Sequence, residues 1–295
     1  MQIGIQLPEI ERVVPWNEYR EMAVLAEDVG FDSLWLGDHL LYDKPEGPKG
    51  PWECWTLLAA VAAVTERVLL GPLVSPTGFR KPALLAKMAG TVDEIANGRL
   101  ILGLGSGWNQ REFEAFGAPF DKRVSRFEEA FTIITSLIRT GRADFHGQYH
   151  DVTDSVLVPP ARSDMPIMIG STGPRMLGIT AREMDWWNEW WNRFDNSPEG
   201  VRPLTERVDA AVRAVGRSPD EIVKSAAVMV QLEDGTGRQM GAVVSAPPID
   251  GSAREIADRL LAFDGLIHHL QLVVDPITTE SIEKLAPVVE MVHAG

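Results

Sequence analysis

The sequence is poor in cysteine, in basic residues and in long apolar runs, and each shortage excludes a class of protein. Its 295 residues include one cysteine, Cys54, so the chain can form neither an internal disulfide nor a cysteine metal cluster. There are 28 Lys and Arg residues against 42 Asp and Glu residues, and the net charge of −14 argues against a nucleic-acid or anionic-membrane partner. The longest apolar run, Leu57–Val64, has eight residues, whereas a bilayer span needs about 20.

Signals of secretion and of two common catalytic centres are missing as well. The first residues have neither the basic start nor the apolar stretch of a signal peptide, so we expect a cytoplasmic protein in a reducing compartment. The one His-x-x-x-His pair, His146 and His150, falls in a predicted hairpin at Asp144–Val158. No set of three ligands has metal-binding spacing, so we expect no metal site. The Gly-x-Ser-x-Gly motif is absent, so no serine triad is indicated.

Short apolar runs alternate with segments of helical spacing, and this alternation predicts the fold. Strands and helices that alternate through short connections are typical of βαβ units with a parallel sheet. The eight predicted strands are Ile3–Leu7, Ser33–Gly37, Arg67–Ser75, Arg99–Leu104, Pro166–Gly170, Asp185–Trp191, Val223–Leu232 and His269–Val274. Together with about eight helices they predict an α/β fold, a TIM (β/α)8 barrel that forms a single domain over residues 1–295.

One connection is too long for a single crossover. Residues 109–165 hold a predicted helix at Val124–Arg139 and a predicted hairpin at Asp144–Val158, so we expect an insertion after strand four that lies over the barrel mouth. Two shorter segments are predicted as loops. Tyr42–Pro51 carries three prolines, and Glu233–Val244 is polar and glycine-rich, which indicates mobility.

The stretch Gly98–Trp108 is the most informative part of the chain. Its buried apolar run ends in Gly103, Gly105 and Gly107, and Trp108 follows at once. Glycines at a strand end let a ligand contact the main chain, because no Cβ intervenes. They equally allow a tight turn, and the spacing Gly-x-Gly-x-Gly, which differs from that of a dinucleotide fold, leaves both interpretations open.

Active sites of such barrels lie at the C-terminal ends of the strands, and one histidine falls there. His39 follows Asp38 at the end of strand two. It is a candidate for proton exchange, because an imidazole titrates near neutrality. The alternative is a loop histidine that bonds Asp38 or a backbone carbonyl.

Two further groups at the strand ends have both a functional and a structural interpretation. Ser171, Thr172 and Gly173 precede a predicted helix, where amide groups and hydroxyls could bind a phosphate. They could equally be an ordinary helix cap. Trp186 and Trp187 point to opposite sides of their strand, so at most one of them faces the barrel interior.

Four segments resemble the bacterial luciferase-like superfamily of flavin and deazaflavin enzymes. They are Leu34–His39, Leu70–Pro76, Thr91–Trp108 and Met168–Arg175, and they follow one another in family order. The resemblance implies a TIM barrel with an insertion after strand four and a cofactor across the strand ends. It also implies a non-proline cis peptide bond in strand three, for which Leu73–Val74 is the matching bond.

Within the superfamily, the chain looks most like the oxidoreductases that use the deazaflavin coenzyme F420. That resemblance implies a catalytic role for His39, which Asp38 helps to fix, and a substrate pocket that includes Trp108 and Trp187. The cofactor contacts that it implies are Leu73, Val74, Gly105, Ser106, Gly107, Gly170, Ser171, Thr172 and Gly173. Trp108 stands where some relatives that act on sugar phosphates carry a glutamate, which favours a more apolar substrate.

Three functions are compatible with this resemblance. The first is an oxidoreductase that transfers a hydride between coenzyme F420 and a small, largely apolar alcohol, carbonyl compound or activated double bond. The second is an FMN-dependent monooxygenase that uses O2 and obtains reduced flavin from a separate reductase. The third is a non-catalytic barrel that binds a flavin. Relatives are often dimers, so a homodimer is compatible with the resemblance too.

Overall fold

The structure is a computed structural model that describes residues 1–235 and 246–295. Residues 236–245, which make up most of the loop predicted at Glu233–Val244, lie outside the described residues. The strands are β1 (Gln2–Gln6), β2 (Ser33–Leu36), β3 (Tyr42–Lys44), β4 (Gly47–Lys49), β5 (Leu69–Pro72), β6 (Ser75–Pro76), β7 (Leu102–Gly105), β8 (Arg142–His146), β9 (Asp151–Val156), β10 (Ile167–Gly170), β11 (Trp186–Trp190), β12 (Val223–Gln231) and β13 (His269–Asp275). The helices are α1 (Trp16–Asp28), α2 (Cys54–Ala62), α3 (Pro82–Ile95), α4 (Gln110–Ala115), α5 (Arg123–Thr140), α6 (Pro174–Thr180), α7 (Pro198–Ala214), α8 (Ala253–Leu261) and α9 (Thr279–Ala294).

Nine strands form one parallel sheet in the order β5-β2-β1-β13-β12-β11-β10-β7-β6. A parallel bridge between Leu70 and Leu100 brings the two ends of the sheet together. The helices pack outside, and the longer ones bury an apolar stripe; on α3, for example, Leu85, Ala89 and Val92 are buried. The predicted TIM barrel is therefore confirmed. No helix of the described residues is long and apolar enough to cross a bilayer.

Strand three is split into two pieces, and the split explains the nine strands. The first piece, β5, pairs with β2, and the second piece, β6, pairs with β7. Between them lies the peptide bond Leu73–Val74, which is cis. The cis bond that the resemblance implied is thus confirmed.

Two of the predicted connections contain more structure than the sequence indicated. The predicted loop Tyr42–Pro51 is an antiparallel hairpin of β3 and β4, whose turn is possible because Gly47 has a positive φ of 122°. The long connection between β7 and β10 holds the predicted helix and the predicted hairpin of β8 and β9, and it also contains the short helix α4. A stretch as short and polar as α4 has too little periodicity to be predicted.

A chain of hydrogen bonds through His269 joins side chains near the N-terminal ends of β1, β2 and β13. The Trp35 indole donates to Ser33 Oγ at 2.6 Å, and Ser33 Oγ lies 2.7 Å from His269 Nε2. His269 Nδ1 lies 3.1 Å from the Gln2 side-chain oxygen. Every partner is satisfied when His269 is neutral and protonated at Nδ1. Burial lowers the pKa of His269 to about 4.

Candidate active site

A cavity of about 470 Å³ lies at the C-terminal ends of the barrel strands, within the range usual for sites that bind small molecules and cofactors. The predicted site residues that line it are His39, Leu73, Val74, Gly105, Ser106, Gly107, Trp108, Gly170 and Ser171. Asp38, Thr172, Gly173 and Trp187 do not line it. The β8–β9 hairpin contributes no lining residue among those described, so the prediction that this segment covers the barrel mouth stays a prediction.

The glycines at the strand ends make room for strand three. A Cβ on Gly105 or on Gly170 would lie 2.9 Å from Val74 Cγ2. A Cβ on Gly103 would lie 2.1 Å from the Pro72 carbonyl oxygen. The three positions must be glycine because the split strand packs directly against them. Val74 therefore forms part of the cavity wall, and its position in the wall depends on the close approach that its glycine neighbours allow.

Gly107 forms a tight turn, which was one of the two interpretations of the glycines at this strand end. Its φ of +77° is a conformation that L side chains rarely adopt. A Cβ there would also lie 2.6 Å from the Phe113 ring. The tight turn directs the chain into Trp108 at the edge of the cavity, and 49% of the Trp108 surface is exposed.

His39 lines the cavity and is held from behind by a carboxylate. Its Nδ1 lies 2.9 Å from Glu112 Oε1 and 3.2 Å from Glu112 Oε2. Its Nε2 has no hydrogen-bond partner among the described residues, and 15% of the side chain is exposed. The rings of Tyr42 and Trp108 pack beside it, with centroids at 4.8 and 5.7 Å. If His39 were only a loop histidine, its expected hydrogen-bond partner would be Asp38 or a backbone carbonyl. The observed partner is Glu112.

Negative charge around His39 favours its protonated form. Burial lowers the pKa of the imidazole, but the hydrogen bond to Glu112 and the charges of Glu9, Glu112 and Asp38 outweigh burial. The pKa of His39 is therefore raised above its ordinary value of 6.5.

Asp38 has a different role from the one that the resemblance implied. Its carboxylate accepts two hydrogen bonds from Arg80, at 2.6 and 3.0 Å, and a further hydrogen bond from the Ser75 hydroxyl. Ser75 in turn accepts a hydrogen bond from the Trp55 indole at 2.8 Å. Asp38 is fully buried and ties the end of β2 to β6. It makes no hydrogen bond to the His39 ring, so the aspartate fixes the strand ends and not the imidazole.

The Ser171–Gly173 loop does not cap the helix that follows it. The N-cap of α6 is Gly173, and no side chain accepts a hydrogen bond from the first turn. The Thr172 hydroxyl donates to Glu189 at 2.6 Å, and Ser171 Oγ accepts from the Gly173 amide at 3.3 Å. The capping interpretation is therefore wrong. Thr172 is absent from the lining, and its hydroxyl is bound to Glu189.

The tryptophan prediction also needs correction, because Trp187 is not in the pocket. Trp187 is fully buried, and its indole donates to the Ser171 carbonyl at 3.1 Å. Trp186 packs against His269, and Asn188 lines the cavity. Since side chains alternate along a strand, Trp187 lies on the outer face of β11. The pocket tryptophan of this strand is Trp190.

Several lining residues were missed by sequence reasoning. Glu9, which is buried after β1, accepts hydrogen bonds from Tyr42 Oη at 2.7 Å and Gln6 Nε2 at 3.0 Å. Its position at a strand end is a signal that would have identified it. Glu112 does not line the cavity but binds His39, and it has no such signal, because it lies on a short helix 73 positions along the chain.

Comparison with known proteins identifies a family and relatives that match most of the chain. Residues 2–239 match the family described as luciferase-like monooxygenase. An F420-dependent glucose-6-phosphate dehydrogenase of Amycolatopsis mediterranei is 31% identical over 209 residues, which are 69% of this chain and 60% of that protein. The pyrimidine monooxygenase RutA of Rhizobium rhizogenes is 30% identical over 216 residues, 69% of this chain and 58% of that protein. The matches thus span about three fifths of the length of these two relatives.

A solved structure supports the fold over nearly the full chain. An F420-dependent secondary alcohol dehydrogenase, solved with an F420-acetone adduct, superimposes with a TM-score of 0.81. The alignment covers 99% of this chain and 98% of that one at 18% identity. At this identity, the likeness is one of fold.

Proposed function

The chain belongs to the luciferase-like monooxygenase family, and we propose that it is an F420-dependent oxidoreductase. It transfers a hydride between the coenzyme and a small, largely apolar organic substrate: an alcohol, a carbonyl compound or an activated double bond. The observation that carries this proposal is the His39 imidazole, which lines the cavity with Nδ1 held by Glu112 and with Nε2 unpartnered among the described residues. The similarity to an enzyme named as F420-dependent supports the choice of coenzyme.

The cavity fits a planar ring system with a phosphate-bearing tail. Leu73 and Val74 form an apolar wall beside the glycine-rich ends of β7 and β10. The Ser171 side chain lines the cavity at the start of α6, whose first turn no side chain caps. We assign the ring to the Val74 wall and the phosphate to Ser171, the one residue of the Ser171–Gly173 loop that lines the cavity. When bound, F420 supplies a carbon that gives or takes a hydride and that does not readily activate oxygen.

The chain's own residues supply the proton chemistry and the enclosure. His39 Nε2 gives or takes the proton at the substrate oxygen or carbon that completes a hydride transfer. Trp108 and Tyr42 pack on the His39 ring and keep water from that side of it. Asp38, through Arg80 and Ser75, fixes the ends of the two strands that carry His39 and Val74.

The charges of the lining favour a neutral substrate. Glu9 and Glu189 are both buried in the cavity wall. Arg193 is the one Lys or Arg side chain in the lining that the described residues provide, and 74% of it is exposed. At the His39 end of the cavity, a phosphorylated substrate would face the Glu9 carboxylate, which is bound to Tyr42 beside His39, and this is an unfavourable balance. An uncharged alcohol or carbonyl compound would pack against Trp108, Tyr42 and Trp190.

The FMN-dependent monooxygenase stays the second candidate, because a relative of nearly equal identity is named as a monooxygenase. It would require reduced flavin from a separate reductase, and O2. The two candidates share the barrel and the cavity and differ in the cofactor. A parallel titration with F420 and FMN at equal ionic strength therefore separates them.

We expect F420 to bind more tightly than FMN in that titration, followed by the quenching of cofactor fluorescence. Bound F420 should then be reduced by a member of a panel of small alcohols, or its reduced form oxidised by carbonyl compounds or activated alkenes, with the absorbance of F420 as the readout. Tight FMN binding without F420 binding would contradict the F420-dependent oxidoreductase and favour the FMN-dependent monooxygenase. Binding of either cofactor without turnover of any substrate would favour the non-catalytic barrel.

A further inference from the structure

We infer that Glu112 is the positioning residue of His39, which holds the imidazole with Nδ1–H toward α4 and leaves Nε2 as the nitrogen that exchanges protons in the cavity. The inference deepens the proposed function and rests on it for the role of Nε2. The tautomer and the titration of His39 are properties of the protein itself, and they can be measured without any substrate.

The tautomer follows from the donors that surround Glu112. The carboxylate is fully buried and accepts hydrogen bonds from His39 Nδ1, from the Leu40 amide at 2.9 Å and from the Leu41 amide at 3.4 Å. A carboxylate accepts and cannot donate, so Nδ1 must carry the hydrogen. Nε2 then has either a lone pair or the second proton, and both states are suited to proton exchange.

Glu112 can fix the ring because α4 is itself anchored on two sides. The Asn109 side chain donates to the Leu41 carbonyl at 2.8 Å, which ties the start of α4 to the segment after His39. On the other side, the Phe113 ring packs at 4.6 Å from the Phe79 ring. The His39 ring and the backbone amides of Leu40 and Leu41 are thus joined to one helix through a single carboxylate.

The remaining charges near His39 do not replace Glu112. Asp38 is engaged by Arg80 and Ser75, and Glu9 is engaged by Tyr42 and Gln6. Both carboxylates favour the imidazolium through their charge, but neither has a hydrogen bond to the ring. Only a contact to a particular nitrogen selects a tautomer, and that contact belongs to Glu112.

The substitution Glu112→Gln tests the inference, because an amide has one acceptor where a carboxylate has two. The glutamine oxygen can serve the Leu40 amide, and its NH2 group then faces Nδ1, which favours the tautomer protonated at Nε2. We expect Glu112→Gln to lower the pKa of His39 and to shift its neutral form toward Nε2–H. Glu114→Gln is the matched control, since Glu114 is exposed on the same helix and bonds Gln110.

The measurement is an NMR titration of 15N-histidine-labelled full-length protein without cofactor, with the His39 signal among the six histidines assigned from the His39→Gln spectrum. Wild type and Glu114→Gln should both show neutral His39 protonated at Nδ1. A wild-type ring protonated at Nε2 overturns the inference without any variant, so the test stands even if Glu112→Gln fails to fold. An unchanged tautomer and pKa in a folded Glu112→Gln protein overturns it too.

Turnover separates positioning from a purely structural role. We expect Glu112→Gln to lower kcat by about tenfold or more, short of the roughly 10²- to 10⁴-fold that losing the proton-exchanging group costs. Cofactor affinity should stay within about twofold, and the pH profile of kcat should move in the direction of the NMR pKa. If wild type shows no hydride transfer with F420, the proposed function fails, while the NMR result still decides the role of Glu112.

Discussion

His39 and His269 show how the contacts of two ring nitrogens decide what a histidine does. His269 has both nitrogens engaged, by Ser33 and Gln2, and its pKa is lowered. His39 has one nitrogen engaged, and its pKa is raised. The first pattern is that of a neutral structural histidine, and the second suits a group that exchanges protons with a ligand.

His39→Ala should therefore lower turnover by roughly 10²- to 10⁴-fold, with little change in cofactor affinity or melting temperature. His39→Gln refines the test, because glutamine keeps one hydrogen bond to Glu112 and cannot exchange a proton near neutral pH. The measurements are steady-state kinetics, cofactor titration and thermal unfolding. A glutamine variant that turns over at the wild-type rate would remove His39 from the proton chemistry.

At the residue scale, sequence reasoning predicts side chains at strand ends and misses those brought in by tertiary contacts. His39, Val74 and Ser171 follow strands, so the barrel rule places them at one rim. Glu112 lies on a helix too short for a periodic pattern, and nothing near it in the sequence points to His39. Trp187 was misassigned because alternation says that two neighbours face opposite sides and does not say which of them faces inward.

At the scale of elements, the strands were predictable because both faces of a parallel barrel strand are buried. Each predicted strand overlaps an observed one, and the split of strand three coincides with Pro72. Short polar elements such as α4 and the β3–β4 hairpin depend on contacts with the rest of the molecule, so they were not predicted. The apolar runs that mark the barrel strands are absent from these short polar elements.

Strand three and its glycine neighbours give a prediction at this scale. In Gly105→Ala the new methyl group would displace Val74, whose branched side chain has little freedom to move. We expect about 1–3 kcal/mol lower free energy of unfolding and weaker cofactor binding. Gly178→Ala is the control, because a Cβ on Gly178 in α6 meets nothing within 4 Å.

Urea unfolding and cofactor titration measure both effects. Alanine at position 178 should stabilise the protein by up to about 1 kcal/mol, because glycine is a poor helix residue, and it should leave cofactor affinity unchanged. If Gly105→Ala bound the cofactor with wild-type affinity, the position of Val74 would not matter for cofactor binding.

At the scale of the whole molecule, the buried His269 couples the stability of the barrel to pH. Above its ordinary pKa of 6.5, the histidine is neutral in both the folded and the unfolded chain. Below 6.5 the unfolded chain binds a proton, whereas the folded protein resists protonation until about pH 4. Since the unfolded state binds more protons in this window, the free energy of unfolding falls as the pH falls from 6.5 to 4.

The size of this effect and its dependence on one residue can be measured by urea unfolding between pH 7.5 and 4.5. His269 should contribute a loss of about 3 kcal/mol across its full window. His269→Gln should flatten that part of the curve, because the glutamine oxygen can accept from Ser33 and its NH2 can donate to Gln2 without ever taking a charge. His146→Gln, at an exposed histidine, should leave the acid-side loss in place. A His269→Gln protein with the wild-type slope would show that other groups carry the acid sensitivity of the barrel.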